Sequence, residues 1–349
     1  MNIVVLAGGL SPEREVSLTS GSLIANALME NGHRVLLVDV YEGIPTLADD
    51  VRSLFRTAKD ERYFHCVSEE IPDLDALRAR CNNGEALIGP NVIEICRAAD
   101  LAFLALHGAM GENGQLQATL DAFGIPYTGS GYAGSLLAMD KDVSKRLFRF
   151  VGVPTPEWVC YDPRTMRAED VAHAVGLPCV VKPSGCGSSV GVSMADTLEE
   201  LAEALALASA YGAVLVERKI TGRELTVGVL DGETLPAVEI IPTEGFYDYK
   251  NKYQGTTREV CPAEIDEAVA KRASELALLG FEALHLEGYA RFDFLLDGAG
   301  ELWCLEANTL PGMTPTSLFP FAASKVDISY NALCERLVAL AMKKTGKNT

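Results

Sequence analysis

Arg291-Phe292-Asp293-Phe294 and, ten residues on, Glu301-Leu302-Trp303-Cys304-Leu305-Glu306-Ala307-Asn308 are the stretches that decide how this chain folds. The first alternates polar and apolar side chains, so on a β-strand Arg291 and Asp293 share one face. Glu306 and Asn308 share a face for the same reason. A hairpin around Asp297-Gly298-Ala299-Gly300 brings the two strands side by side. Asp293, Glu306 and Asn308 then converge as hard oxygen donors, a set suited to magnesium held with nucleotide phosphates. Arg291 beside them can hold a developing oxyanion or a phosphoryl group. A solvated sheet face also carries polar residues, but the dense apolar flanks here favour a site.

Working outward, Val180-Val181-Lys182-Pro183 reads as a buried strand that runs into a Gly/Ser loop, Ser184 to Ser189. Glycines let a backbone approach closely, and amide and serine groups cradle phosphate oxygens. The spacing is not G-x-x-x-x-G-K-[ST], and taken alone the loop is also a plain glycine hairpin. At the N-terminus, a strand at Asn2–Ala7, a helix at about Ser17–Glu30 and a strand at Arg34–Val40 form a βαβ unit with a parallel sheet. Residues from Tyr41 to Ala98 are less regular. Asp100–Leu106 is a buried strand ending at His107-Gly108, residues 114–124 are helical, and Ile125–Gly129 is a short closing strand. Ser11 to Ser17 and His107 both sit at strand ends, where open α/β sheets bind ligands. An acidic helix start and a structural histidine are the plainer readings of each alone. The glycines after the first strand fail G-x-G-x-x-G, which counts against a dehydrogenase.

A helix at Ser135–Val151 and a Gly/Pro linker at 152–156 precede a small α+β unit. The rest alternates strands (Leu225–Leu230, Pro236–Ile241, Tyr289–Leu296, Leu302–Ala307) with helices (Glu264–Leu279, Ser329–Lys343). Tyr247–Val260 is polar, Tyr/Lys-rich and aperiodic, the pattern of a mobile loop. The expected organisation is α/β in three domains, 1–129, 130–217 and 218–349.

Composition narrows the function classes. The 349 residues carry 48 acidic and 30 basic side chains, a net charge of -18. Such a surface disfavours nucleic acid and anionic membrane, both polyanions. No apolar run approaches the roughly 20 residues of a membrane helix. Met1–Leu10 lacks the basic region and cleavage site of a signal peptide and reads as strand and turn. Nine cysteines without C-x-x-C spacing suggest reduced thiols in the cytoplasm rather than disulfides or a zinc site.

Taken together, the motifs resemble the D-alanine–D-alanine ligase family of the ATP-grasp superfamily. The resemblance runs nearly end to end: Glu-Arg-Glu-Val-Ser at 13–17, Leu-His-Gly at 106–108 with Gly-Glu at 111–112, Tyr-Thr-Gly-Ser-Gly at 127–131 and Met-Asp-Lys at 139–141. Lys-Pro-Ser at 182–184, Gly-Ser-Ser-Val-Gly at 187–191, Phe-Tyr-Asp-Tyr-Lys-Asn-Lys-Tyr at 246–253 and Leu-Glu-Ala-Asn-Thr-Leu-Pro-Gly-Met-Thr at 305–314 complete it.

The resemblance implies a three-domain ATP-grasp ligase with an N-terminal parallel-sheet, Rossmann-like domain. It implies the ligation of two D-alanines with ATP, through a D-alanyl phosphate, to supply peptidoglycan precursors. It implies that Glu13 orients the first amino acid's ammonium group in a hydrogen-bonded chain with Ser188 and Tyr253. His107 then lies near the first substrate, and Ser317 and Leu318 line the pocket of the second. Lys141, Lys182 and Lys252 fall on the ATP phosphates, the hinge Glu217, Arg218 and Ile220 grips adenine, and Glu224 meets the ribose. Asp293, Glu306 and Asn308 fall on two magnesium (or manganese) ions. Arg291 and the Gly312 backbone are implied oxyanion stabilisers. A homodimer is the implied assembly, and D-alanine and ATP the implied small-molecule partners. D-alanyl-D-serine or D-alanyl-D-lactate synthesis is the alternative within the family, and a non-catalytic nucleotide-binding regulator the alternative outside it. Gly185-Cys186 departs from the charged or larger residues many members carry there, so oxidation or alkylation of Cys186 is expected to slow turnover.

Overall fold

The computed structural model of the chain describes residues 1–66, 72–184, 191–242, 257–344 and 346. Three sheets follow one another along the chain. The first is parallel, with strands β1 (Asn2–Ala7), β2 (Arg34–Asp39) and β3 (Leu101–Leu104) in the order β2-β1-β3. Its apolar strands are buried on both faces, as parallel strands require. The helix Arg14–Glu30 makes the crossover from β1 to β2 and begins earlier than its apolar pattern suggests. The expected strand at Ile125–Gly129 is only a single parallel bridge, Ala102 to Tyr127. The weakly patterned stretch 41–98 contains the helices Leu74–Cys81, capped by the Asp73 side chain, and Val92–Ala98.

The second sheet is antiparallel, with β4 (Trp158–Tyr161), β5 (Cys179–Pro183), β6 (Ser193–Ala195) and β7 (Val214–Arg218) in the order β4-β7-β5-β6. Helices Ala168–Val175 and Leu198–Ser209 cover it and share its apolar core. A capping box starts the second of these, Thr197 bonding the Glu200 amide and Glu200 returning the bond. The helix expected at Ser135–Val151 is two, Tyr132–Met139 and Lys141–Val151. Asp140 separates them because its carboxylate accepts from the Asp142 and Val143 amides and so starts a new helix.

The third sheet holds β8 (Gly222–Leu230), β9 (Glu233–Thr234), β10 (Val238–Pro242), β11 (Thr257–Val260), β12 (Tyr289–Asp297) and β13 (Leu302–Asn308). Its order is β11-β10-β8-β12-β13, with β9 on β8. The stretch read as a mobile loop thus ends in a strand, β11; residues 247–256 lie outside the described residues. Helix Glu267–Ala283 packs on this sheet, and Phe148 of helix Lys141–Val151 joins the same core against Phe292. The closing helix Tyr330–Lys344 packs instead against helix Arg14–Glu30, sharing one core with the first sheet.

Candidate active site

β12 and β13 pair antiparallel, with Arg291 opposite Asn308 and Asp293 opposite Glu306. A bulge between Asp293 and Phe294 shifts the register beyond them, so Phe294 faces Cys304. The four polar residues therefore come to one end of the hairpin. Asp293 is buried, and its two oxygens accept from Arg291 Nε and Nη2, each at 2.9 Å. Asn308 Nδ2 also donates to it at 2.9 Å, and Thr226 Oγ1 on the neighbouring β8 donates at 2.6 Å. Glu306 is approached by the Lys141 ammonium at 3.5 Å. Two carboxylates and an amide side chain are hard donors of the kind that suits magnesium or manganese, so this set fits the implied ions. Among the described residues, no three His, Cys, Asp or Glu side chains group as a metal site by themselves.

Lys182 leaves β5 beside this cluster and pairs with Glu217 of β7. Burial opposes its charge, but Glu217, Glu306 and Glu224 outweigh burial and hold its pKa above the ordinary lysine value. Glu217 is buried. Burial alone would raise its pKa, yet Lys182 and Lys145 together draw it below normal. At this hinge the Glu217 carboxylate is thus engaged by two lysines, and the Arg218 and Lys219 amides donate to the Glu157 and Pro178 carbonyls. Arg218 points to the opposite side of the strand, paired with Glu157 at 2.9 Å and stacked over Trp303. Ile220 and Glu224 are half-buried.

The N-terminal sheet contributes from its strand ends. Glu13 is buried at the start of helix Arg14–Glu30. Arg14 beside it is anchored to Asp39 at 2.9 Å and Glu42 at 2.7 Å. His107 is buried, with Nδ1 at 3.2 Å from the Leu310 carbonyl. Burial pushes its pKa down, against the pull of Glu13, so the ring is neutral and Nδ1–H donates. Glu112 accepts from the Gly108 amide at 2.8 Å. Its side chain keeps some surface, but its carboxyl end is enclosed; burial and then Glu13 push its pKa up to about 8, with the Gly108 and Leu310 amides opposing. Arg291 adds to the lowering at His107, and Glu306 to the raising at Glu112, so the N-terminal residues face the β12–β13 cluster.

Beyond β13, Gly312 lies against Ser317, whose Oγ accepts from the Thr314 amide at 3.1 Å. Ser317 starts helix Leu318–Ser324, with Leu318 buried. The structure thus brings Glu13, His107, Lys141, Lys182, Arg291, Asp293, Glu306 and Asn308 into one neighbourhood. Ser188, Lys252, Tyr253 and Cys186 lie outside the described residues. Sequence reasoning gave no role to Lys145, Thr226 or Glu112. The four-residue step from Lys141 to Lys145 is one helical turn, the only local signal of the first.

Residues 2–130 match the family model described as D-ala D-ala ligase N-terminus, and residues 147–339 that described as D-ala D-ala ligase C-terminus. The chain belongs to the D-alanine–D-alanine ligase family. The D-alanine–D-alanine ligase of Pediococcus pentosaceus is 40% identical over 346 residues, covering 97% of each chain. That of Synechococcus sp. (strain JA-3-3Ab) is 41% identical over 349 residues, 99% of this chain and 94% of its own. Among solved structures, the Bacillus anthracis ligase complexed with ATP superposes with a TM-score of 0.77 at 27% identity, covering 99% of both chains. The Coxiella burnetii ligase superposes with a TM-score of 0.78 at 25% identity, covering 99% of this chain and 95% of its own. The α/β architecture of three sheets is the ATP-grasp fold of this family.

Proposed function

We propose that this chain joins two molecules of D-alanine to D-alanyl-D-alanine, with ATP converted to ADP and phosphate, and so supplies peptidoglycan precursors. The observation that carries the reading is the cluster of Arg291, Asp293, Glu306 and Asn308 at one end of the β12–β13 hairpin, with Lys141 3.5 Å from Glu306 and Lys182 close enough to feel its charge. A pure nucleotide binder would not need the complete set of metal ligands, lysines and oxyanion arginine.

A carboxylate is a poor electrophile, because its leaving group would be oxide. Transfer of the γ-phosphoryl group from ATP makes an acyl phosphate, and the second amine then displaces phosphate through a tetrahedral intermediate. Lys141 and Lys182 hold the ATP phosphates, with Lys252 as a third cation. The main chain of Glu217, Arg218 and Ile220 holds adenine, and Glu224 the ribose. Glu13 receives the ammonium of the first D-alanine, and His107, neutral and fixed by Leu310, packs beside it. Ser188 and Tyr253 complete the closure over the first substrate. Arg291 and the Gly312 amide stabilise the oxyanion, and Ser317 and Leu318 receive the second D-alanine. Asp293, Glu306 and Asn308 would hold two magnesium or manganese ions, which withdraw charge from the phosphates when bound. Positioning and electrostatics carry the rate, with no covalent nucleophile on the protein.

No helix among the described residues is long and apolar enough to cross a membrane, and the eight described cysteines are unpaired. Both support a cytoplasmic setting, and a homodimer is the expected assembly. The deciding experiment is phosphate release from ATP and magnesium with D-alanine, D-serine, D-lactate or L-alanine, singly and in pairs, with products identified by mass. D-alanine alone should give release and the D-alanyl-D-alanine mass. Release only with D-serine or D-lactate present would move the chain to the sibling specificity. No release with any pair, despite ATP binding, would leave a nucleotide-binding regulator.

A further inference from the structure

Lys145 is one of the largest fully buried side chains in the molecule, with a side-chain exposure of 1%. It lies one turn after Lys141 on helix Lys141–Val151, so both ammonium groups leave the same face of that helix. Lys141 reaches Glu306 of the third sheet, and Lys145 reaches Glu217 of the second, at 2.9 Å. Lys145 also donates to Thr155 Oγ1 at 2.6 Å and lies 5.4 Å from the centre of the Trp158 ring. Its ammonium is thus committed within the protein, and it is too deep to touch a phosphate. Glu217, in turn, bonds both Lys145 and Lys182.

The helix that carries Lys145 belongs to the core of the third sheet through Phe148, whereas Glu217 and Lys182 stand on the second sheet. The chain Lys145–Glu217–Lys182 therefore crosses from one half of the ATP-grasp unit to the other. Its charge matters as much as its position. Burial lowers the Lys145 pKa against the pull of Glu217; with both lysines protonated, two cations and one anion make the group net positive, and its more accessible end is Lys182, with a side-chain exposure of 12% against 1% for Lys145. Without Lys145, Glu217 and Lys182 would form a neutral pair, and Lys182 would be held by its carboxylate partner rather than offered to an anion.

We infer that Lys145 is a positioning residue for nucleotide binding: by sharing Glu217, it leaves Lys182 with a net positive charge and fixes it across the two halves of the ATP-grasp unit. This rests on the reading that Lys182 meets the ATP phosphates. A merely structural lysine would need only to fill the same space. Here charge balance, rather than shape, sets ATP affinity.

The test is ATP binding to the full-length protein with magnesium and no amino acid, followed by calorimetry. The variants are Lys145→Met, Lys145→Arg and the double variant Lys145→Met/Glu217→Gln. Lys145→Met should weaken ATP by about tenfold or more, the scale of one lost charge at close range. Lys145→Arg should stay close to the parent. The double variant removes the carboxylate as well as the lysine, restores the net positive charge and should recover most of the lost affinity. It also leaves no carboxylate buried without its partner, so it reports even if Lys145→Met fails to fold. The KM for D-alanine, measured at saturating ATP, should be unchanged in Lys145→Met and Lys145→Arg. Parent-like ATP affinity in Lys145→Met, or a double variant that binds ATP no better than Lys145→Met, would overturn the inference. Where Lys145→Met does not fold, a double variant about tenfold weaker than the parent would overturn it too. A parent protein that binds no ATP would overturn the ligase reading itself, and a Lys182→Met variant with parent affinity would remove the role of Lys182.

Discussion

The backbone of Gly108 lies against the carboxylate of Glu13: a Cβ at Gly108 would fall 3.0 Å from Glu13 Oε2 and 2.7 Å from Ser11 Oγ. Gly108 also has φ +81, a conformation that costs other residues about 1–2 kcal/mol. Two strand ends far apart in sequence are thus in contact through the absence of a side chain. Gly108→Ala should push Glu13 and Ser11 aside. The expected result is a rise of about tenfold or more in the KM for D-alanine with the KM for ATP nearly unchanged. Steady-state kinetics in each substrate separately will check it, and an equal rise in both would mean general damage rather than a displaced Glu13.

Glu112 gives a pH signature. Its folded-state pKa, about 8, lies above the ordinary carboxylate value because the carboxyl is buried near Glu13. The native state therefore keeps a proton that the unfolded chain has lost, and stability from this group falls as pH rises from about 5 to 8. Glu112→Gln mimics the protonated form and keeps an oxygen for the Gly108 amide. The variant should gain thermal stability relative to the parent across that interval, with little difference near pH 4. Melting curves at several pH values decide it: parallel pH profiles for the two proteins would rule the effect out.

Thr226 touches none of the reactants in the proposed site, yet its hydroxyl donates to buried Asp293 at 2.6 Å. Groups that orient a metal ligand affect metal affinity by about 10–100-fold when lost. Thr226→Val keeps the shape and removes that bond. The magnesium concentration for half-maximal turnover should rise by about that factor, and saturating magnesium should restore most of the rate. A loss of rate that no amount of magnesium repairs would show that Thr226 acts on folding or on Asp293 in some other way.

The parts of the site that could be read from the chain are those set by strand geometry. Period two alone puts Arg291 with Asp293 and Glu306 with Asn308, and the glycines at 298 and 300 mark the turn between them. The bulge after Asp293 has no such signature, although it fixes which residues face one another. Lys145 and the ion-pair role of Glu217 are harder to see, because interior charge is satisfied by partners distant in sequence and leaves no local pattern. Asp140 looks like a surface residue within one long apolar-patterned helix until its carboxylate is found capping the next. Ile125–Gly129 has strand composition but forms only one bridge, because tertiary contacts, not propensity, decide a segment that short.

The closing helix is the least local feature of the fold, and it makes a prediction about stability. Leu337 is buried in the same core as Ile24 and Leu28 of helix Arg14–Glu30, some three hundred residues earlier. Polar contacts run alongside: His33 Nε2 meets Glu335 at 2.9 Å, and Asn331 donates to Glu30 at 2.8 Å. Leu337→Ala removes a buried side chain from a tightly packed face and should cost about 2–5 kcal/mol. Because the helix completes the core under β1 and β3, the cost should appear in the N-terminal sheet and not only at the C-terminus. Hydrogen exchange at the amides of Ile3 to Leu6 should speed up together with that of the closing helix. Faster exchange confined to residues 330–344 would mean that the helix frays alone and the first sheet does not depend on it.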